Sequence, residues 1–357
     1  MTSRGSVLVA MSGGVDSSVA ACLLHEEGYE VVGSHLKLVH TGGVDHGCCG
    51  PRAESDARAV AEVAGFPFEV VDLSDDFEER VVADALAEHA EGRTPNPCVR
   101  CNERIKFGAF LDRAQAGGFD FVATGHYVRT VRDAGGRWRL YRGRDRSKDQ
   151  SYVLHMLGER ELARSLFPIG EQVKEETRAH ARRLGLPVAG KPDSQDLCFA
   201  PGGDAARFLE DRAPQLLREG EVVDASGRVL GSHGGVQRFT VGQRRGLGVS
   251  TGARTYVLEL DAPANRVVVG APELLARRGL VADRVGWVAG RPDGPFEGQV
   301  KVRYRGEDVD AVVEPAGADG ARVEFRSPQR AVAPGQSVAF YVGDEVLGGG
   351  RIVEALR

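Results

Sequence analysis

The 357-residue chain has no apolar run approaching the roughly 20 residues that a membrane-spanning helix needs, so no membrane role is expected. The stretch S-V-L-V-A-M near the start breaks at once into S-G-G-V-D-S-S and offers no leader-cleavage pattern. Cysteine is scarce. Six residues, at 22, 48, 49, 98, 101 and 198, are too few to staple a chain this long, which excludes a disulfide-framed scaffold. In a reducing, cytoplasmic compartment they read as thiols, metal ligands or catalytic groups. An excess of positive charge is also missing: Lys plus Arg is 46 against 51 for Asp plus Glu, a net charge of −5. A nucleic-acid partner would therefore need a local basic face, because no global field attracts phosphate. There is no fixed-period repeat and no low-complexity tract.

What is present is a globular composition, 42% hydrophobic and 27% charged, on a chain long enough for two or three domains. The first half alternates short apolar strands with longer helical patterns. Val7 to Ala10 reads as a strand, S-V-A-A-C-L-L-H-E-E-G as a helix ending at Gly28, and E-V-V-G-S-H-L-K-L as a second strand. A helix opening at Pro51 and closing at Gly65 follows, then the strand F-E-V-V-D-L and a helix over D-D-F-E-E-R-V-V-A-D-A-L-A-E-H-A-E-G. K-F-G-A-F-L-D-R-A-Q-A-G-G and F-D-F-V-A-T-G-H-Y repeat the order. This is the pattern of a doubly wound parallel sheet covered on both faces, an α/β fold. From about residue 205 strands joined by polar turns take over, and the tail is nearly all short alternating strands, which predicts a small antiparallel β-barrel. The expected division is 1–204, 205–276 and 277–357.

M-S-G-G-V-D-S-S lies between the first strand and the first helix, where backbone N–H groups and the helix dipole face an incoming anion. Gly13 and Gly14 allow a tight turn with no Cβ in the way. Ser12, Ser17 and Ser18 add hydroxyls, and Asp16 is suited to orient a metal or an amide. No Gly-Lys-Ser/Thr follows, so this is not a Walker A loop, and G-x-G-x-x-G is absent. Two glycines alone favour an ordinary helix-capping turn; the whole Ser-Gly-Gly-Val-Asp-Ser string after a buried strand is more specific. It resembles the pyrophosphate loop (PP-loop) of the ATP pyrophosphatase superfamily.

Later stretches narrow the choice. G-R-T-P-N-P-C-V-R-C-N-E-R-I-K-F-G-A-F-L, A-T-G-H-Y-V-R, S-K-D-Q-S-Y-V-L-H-M-L, F-P-I-G-E, K-P-D-S-Q-D-L-C-F, G-Q-R-R-G-L-G and P-G-Q-S-V-A-F-Y together resemble the bacterial tRNA-specific 2-thiouridylase family across nearly the whole chain. The resemblance implies a tRNA-uridine 2-sulfurtransferase acting on the wobble uridine, using ATP and Mg²⁺, with a cysteine desulfurase or relay protein as sulfur donor. Uracil O2 is a poor leaving group, and adenylation turns it into AMP. Sulfur must then arrive as a nucleophile, and a persulfide carrier needs a second thiol that meets it in space. The resemblance makes Cys198 the carrier and Cys101 its partner; alone, Cys198 would read as a buried small hydrophobe.

The same resemblance implies nucleotide contacts at Ala10, Met11, Ser12, Gly13, Gly14, Val15, Asp16, Ser17, Leu36 and Gly125. It implies tRNA contacts at Asn96, Pro97, Cys98, His126, Lys148, Asp149, Gln150, Tyr304, Arg305 and Gln336, with the target base flipped from its stack. Without it, His126 is a lone histidine, K-D-Q at 148–150 a polar loop, and Arg244 and Arg245 an ordinary solvated turn. His46 carries no assignment.

One position departs from the family pattern. The residue three before the partner cysteine is an Asp in well-known members and is Cys98 here, giving C-x-x-C. A thiol is a weak substitute for a carboxylate base, so the base role does not carry over. Cys98 is a resolving thiol, an inert replacement, or one of three iron–sulfur ligands with Cys101 and Cys198. Zinc on these residues with Cys48 or Cys49 has the least support, because adjacent cysteines serve one tetrahedral site poorly. The sequence does not decide between persulfide and cluster. A different PP-loop ligase would need no Cys198, and a non-catalytic tRNA-binding protein would release neither AMP nor pyrophosphate.

Overall fold

The computed structural model describes residues 4–40, 50–193, 205–250 and 252–357. Cys198, Cys48, Cys49 and His46 lie outside these residues.

The first sheet contains β1 (Ser6–Ala10), β2 (Glu30–Lys37), β3 (Phe68–Asp72), β4 (Phe121–Thr124) and, after the hairpin β5 (Val128–Arg132) and β6 (Trp138–Arg142), the short β7 (Ser165–Leu166). All its pairings are parallel and its order is β3-β2-β1-β4-β7. Its central strands carry continuous apolar residues, with Val7, Leu8 and Val9 buried, because both faces are covered. Helix α1 (Val15–Glu26), helix α2 (Pro51–Ala64) and the helix Lys174–Arg183 cover one face, where Val19, Val60 and Ala181 share a core with Val7 and Val9. Helices over 74–90 and 97–116 cover the other, with Val81, Ile105 and Phe110 packed against Leu8 and Val122. As expected, α2 starts on a proline and ends on Gly65 in the left-handed region, φ 80°.

A second sheet, order β10-β11-β8-β9, is built from β8 (Gly220–Asp224), β9 (Val229–His233), β10 (Tyr256–Asp261) and β11 (Arg266–Gly270). The rest of the chain forms β12 (Ala276–Trp287), β13 (Phe296–Lys301), β14 (Val309–Ala316), β15 (Gly320–Arg330), β16 (Ser337–Val342) and β17 (Glu345–Leu356). Their antiparallel order β12-β15-β14-β13-β16-β17 closes through β12–β17, a six-stranded barrel with Val300, Val313, Val323 and Phe340 in its core.

Two features were not read from the sequence. The β5–β6 hairpin leaves the first half of the chain and pairs with the barrel, Leu140 opposite Val346 and Tyr141 opposite Glu345. The helix over 97–116 begins at Pro97, well before the K-F-G-A-F-L run, and widens to π geometry over Asn102–Ala109.

Candidate active site

β1 ends with Ala10 opposite Ser34, and the chain turns through Met11–Gly14 into α1. The two glycines do different work. Gly13 has φ +65°, and a Cβ there would lie 2.2 Å from the Ala53 carbonyl oxygen of α2. Gly14 is extended, φ −97° and ψ 167°, and a Cβ would meet nothing nearer than the Ser12 hydroxyl at 3.4 Å. Gly13 is thus required by the fold, while Gly14 keeps space open over the helix N-terminus, whose first N–H groups have no intrahelical partner. Ser12 N–H donates to Ser17 Oγ (3.1 Å) and the Ser18 hydroxyl to the Gly14 carbonyl (2.7 Å), so the serines brace the loop. Met11 and Val15 bury their side chains and offer only backbone.

The loops after β1 and β4 leave the sheet where its order reverses, the place where open α/β sheets bind ligands. Gly125 follows β4, and a Cβ there would come within 2.5 Å of Ser17 N. Packing against the first turn of α1 accounts for this glycine without a ligand. Leu36 is buried, but its backbone is informative. Glu30 N–H bonds Gly5 O and Ser34 O accepts from Met11 N–H, so even positions of β2 face β1, whereas Gly33 N–H and Lys37 O bond on the β3 side. Since the β1 ladder ends at Ala10, the N–H and C=O of Leu36 face the space above the glycine loop.

The second half of the site is the helix start T-P-N-P-C-V-R-C. The Asn96 side chain caps it by accepting from Val99 N–H (3.3 Å), and Pro97 takes the first position. Cys98 and Cys101, three apart, project to the same side, with Cys98 exposed and Cys101 buried. The barrel holds the segment just before them. Gln336 Nε2 donates to the carbonyls of Thr94 and Pro95, both at 3.1 Å, Thr94 N–H donates to Pro334 O, and Tyr152 Oη donates to Ser337 O. Beneath it, buried Glu88 accepts from Arg93 (2.6 Å) and from Arg351 of β17, which also pairs with Asp283. Among the described residues no group of three or more His, Cys, Asp or Glu could hold a metal.

K-D-Q is a junction. Asp149 is buried and accepts from Gly143 N–H, Ser151 N–H and the Ser151 hydroxyl. Gln150 Oε1 accepts from Tyr127 N–H. Lys148 donates to Asp193 at 2.9 Å. His126 is buried, 2.7 Å from the Thr124 hydroxyl and packed near Phe107 of the thiol-bearing helix. Burial, then the charge of Lys106, hold its pKa well below the ordinary value, so it is neutral. Tyr304 and Arg305 lie in the loop after β13, not on a strand. The Tyr304 ring stands 6.1 Å from that of Tyr152, and its phenol feels the charges of Asp149, Cys98, Arg305 and Lys148. The structure thus brings Cys98, Lys148, Asp149 and Arg305 within electrostatic reach of Tyr304. It commits Asp149, Gln150 and Gln336 to bonds within the protein. Arg244 and Arg245 are exposed in the turn after Gly242.

Sequence reading missed Lys174, Lys191, Arg178 and Asp193. Lys174 is buried, and its ammonium meets both Asp16 oxygens (2.7 and 2.8 Å) and Asp193 Oδ1 (2.8 Å). Asp193 also takes Lys148 and Arg178. Burial works against this carboxylate, but hydrogen bonds from Lys174 and Lys148 and their charges outweigh it and hold its pKa at about 2. Asp193 precedes Cys198 by five residues.

A parallel sheet with a Gly-Gly loop at its switch point defines a nucleotide-binding α/β domain, and residues 5–202 match the family model described as "tRNA methyl transferase HUP domain". Residues 206–271 match a "tRNA methyl transferase PRC-barrel domain" and residues 277–352 an "Aminomethyltransferase beta-barrel domain". The chain is 50% identical to a tRNA-specific 2-thiouridylase MnmA of Acidothermus cellulolyticus, covering 98% of both chains. It is 47% identical to one of Geobacter metallireducens (99% and 98% covered) and 45% to one of Geotalea uraniireducens (99% and 96%). The chain belongs to the tRNA-specific 2-thiouridylase family.

Proposed function

We propose that this protein thiolates C2 of the wobble uridine of tRNA, using ATP. ATP with Mg²⁺ would be held by the glycine loop, where Asp16, shared with Lys174, is the carboxylate that would serve the metal, whose charge offsets that of the departing pyrophosphate. Uracil O2 attacks the α-phosphate and releases pyrophosphate. Cys198 carries the incoming sulfur as a persulfide supplied by a donor protein. The Cys101 thiolate attacks the inner sulfur, forming a Cys101–Cys198 disulfide and releasing hydrosulfide, which adds at C2 and expels AMP. A reductant then reopens the disulfide. Residues 1–204 supply this chemistry, while 205–276 and 277–357 help hold the tRNA, with Tyr304 and Arg305 near Cys98. The protein is read as cytoplasmic.

The observation that carries the reading is the shared anchoring of both reaction halves. Asp16 of the glycine loop and Asp193 of the run to Cys198 bind one lysine, and His126, two residues beyond Thr124 at the end of β4, packs near Phe107 of the helix bearing Cys101. The family models are described as "methyl transferase" whereas the relatives are named "2-thiouridylase". Nothing in the glycine loop calls for a methyl donor, and the loop geometry suits a pyrophosphate.

The test is mass spectrometry of nucleosides from tRNA incubated with protein, ATP, Mg²⁺ and a sulfur donor, with AMP measured in parallel. The reading requires sulfur in place of oxygen on uridine and matching AMP. A methylated nucleoside, AMP without tRNA dependence, or tRNA binding with no AMP would each overturn it.

A second reading rests on Cys98, whose place on the same side of one helix as Cys101 also suits two ligands of an iron–sulfur cluster completed by Cys198. Such a cluster would supply an open iron to hold sulfide. An iron–sulfur absorption band in anaerobic protein, lost together with thiolation in Cys98→Ala, would establish it.

A further inference from the structure

Lys191 stands on the run toward Cys198, yet its ammonium reaches back to the glycine loop. Nζ donates to the Gly13 carbonyl at 2.9 Å and to Asp56 Oδ2 of α2 at 2.6 Å. Its own backbone is held in turn, because Arg178 NH1 donates to the carbonyls of Lys191 (3.1 Å) and Ala189 (3.2 Å). Gly13 is therefore fixed from two sides, by Lys191 at its carbonyl and by Ala53 against its Cα.

In a planar trans peptide the carbonyl and the next N–H point in opposite directions. Holding the Gly13 carbonyl on Lys191 therefore aims the Gly14 N–H the other way. A peptide joining two glycines is easily flipped, since neither residue has a Cβ to forbid the alternative. A flip would present a carbonyl oxygen where an anion-binding loop must present N–H groups.

We propose that Lys191 is the positioning residue of the pyrophosphate loop, locking the Gly13–Gly14 peptide so that the Gly14 N–H faces the ATP phosphates. It stands in for no Walker lysine: its ammonium is spent on the loop's own carbonyl and on Asp56, so it acts through the backbone. This rests on the proposed reading that ATP occupies the glycine loop. If the productive orientation falls to a tenth of the population without the lock, the apparent affinity falls about tenfold.

Calorimetric titration of the full chain with ATP and, separately, with AMP and adenosine tests it. Lys191→Met is expected to weaken ATP about tenfold while leaving adenosine and AMP within twofold, and Lys191→Arg, which can still donate to Gly13, is expected to recover most of the loss. Asp56→Asn separates positioning from direct phosphate contact. Loosening the lysine should weaken ATP under the proposal, whereas a phosphate-binding cation freed from its carboxylate would bind ATP more tightly and overturn it. Equal ATP affinity in a folded Lys191→Met protein, or a loss shared equally by adenosine, would also overturn it. If wild type binds ATP no better than its Gly14→Ala variant, the placement of ATP on the loop is what fails.

Discussion

The Cα of Gly13 lies so close to Ala53 that an added Cβ would sit 2.2 Å from the alanine's carbonyl oxygen, on a backbone already at φ +65°. The glycine loop and α2 are thus one packed unit, and neighbouring glycines should respond differently to the same substitution. Gly13→Ala is expected to lower the melting temperature, through strain and the displacement of α2. Gly14→Ala, whose Cβ meets only open space near Ser12 Oγ, should melt as wild type and lose ATP binding. A Gly14→Ala protein with normal ATP affinity would remove the loop from the nucleotide site.

Cys101→Ser and Cys198→Ser should each abolish thiolation while sparing tRNA-dependent pyrophosphate release, because only the sulfur half of the reaction needs thiols. Cys98→Asp should stay active under the persulfide route, since Cys98 is exposed and its side chain has room. Loss of activity together with bound iron in that variant would favour the cluster.

Arg351 and Arg93 both bond Glu88, which is buried between the helix over 74–90 and the barrel. Arg351→Met should leave a buried carboxylate short of a partner and cost about 3 kcal/mol, the low end for breaking a buried pair because Arg93 remains. Urea denaturation followed by fluorescence measures it. Adding Glu88→Gln to Arg351→Met should recover part of the loss, as expected for two residues of one network.

His155 is fully buried and neither ring nitrogen has a partner among the described residues. Burial, then the positive charge of Arg100, push its pKa down to about 3. The sign follows from proton counting. Below the unfolded value near 6.5 the unfolded chain binds a proton that the folded chain refuses, so stability falls as pH drops from about 6.5 toward 3. The slope is on the order of 1 kcal/mol per pH unit for each such histidine, and His126 adds to it. Thermal melts of His155→Phe should show a shallower decline over this window than wild type.

Arg305 is exposed beside Tyr304, whose phenol also feels the charge of Cys98. If it meets tRNA phosphate, Arg305→Ala should lower the slope of log affinity against log salt by about one, with ATP binding unchanged. An unchanged slope would assign the arginine to the barrel itself.

Much of the fold could be read locally, because parallel strands buried on both faces announce themselves as Val-rich runs and the tail's alternation demands a barrel. The glycine loop was legible for the same reason: a tight turn and an anion both need glycine. What escaped depends on distant partners. The helix start at Asn96 went unread, although Asn96 followed by Pro97 is a cap and first-turn signature. K-D-Q looked solvated, because nothing in its composition shows that Gly143 and Ser151 bury Asp149. Lys174 opens a helix with the sign that the helix dipole disfavours. Its reason, Asp16, lies 158 residues earlier in the chain.

The β5–β6 hairpin sets an order on biosynthesis. Arg139 of β6 pairs with Glu345 across 206 residues of chain, and Glu345 opens the last strand of the molecule. At roughly 5–20 residues per second, a ribosome leaves that hairpin edge without its partner for about 10–40 s after the hairpin itself has been synthesised. The strand that ends the wait also closes the barrel against β12. Completion of the catalytic half and closure of the barrel are therefore one event, and a chain that stops before residue 345 forfeits both, leaving a bare strand edge for proteases or for another unfinished chain.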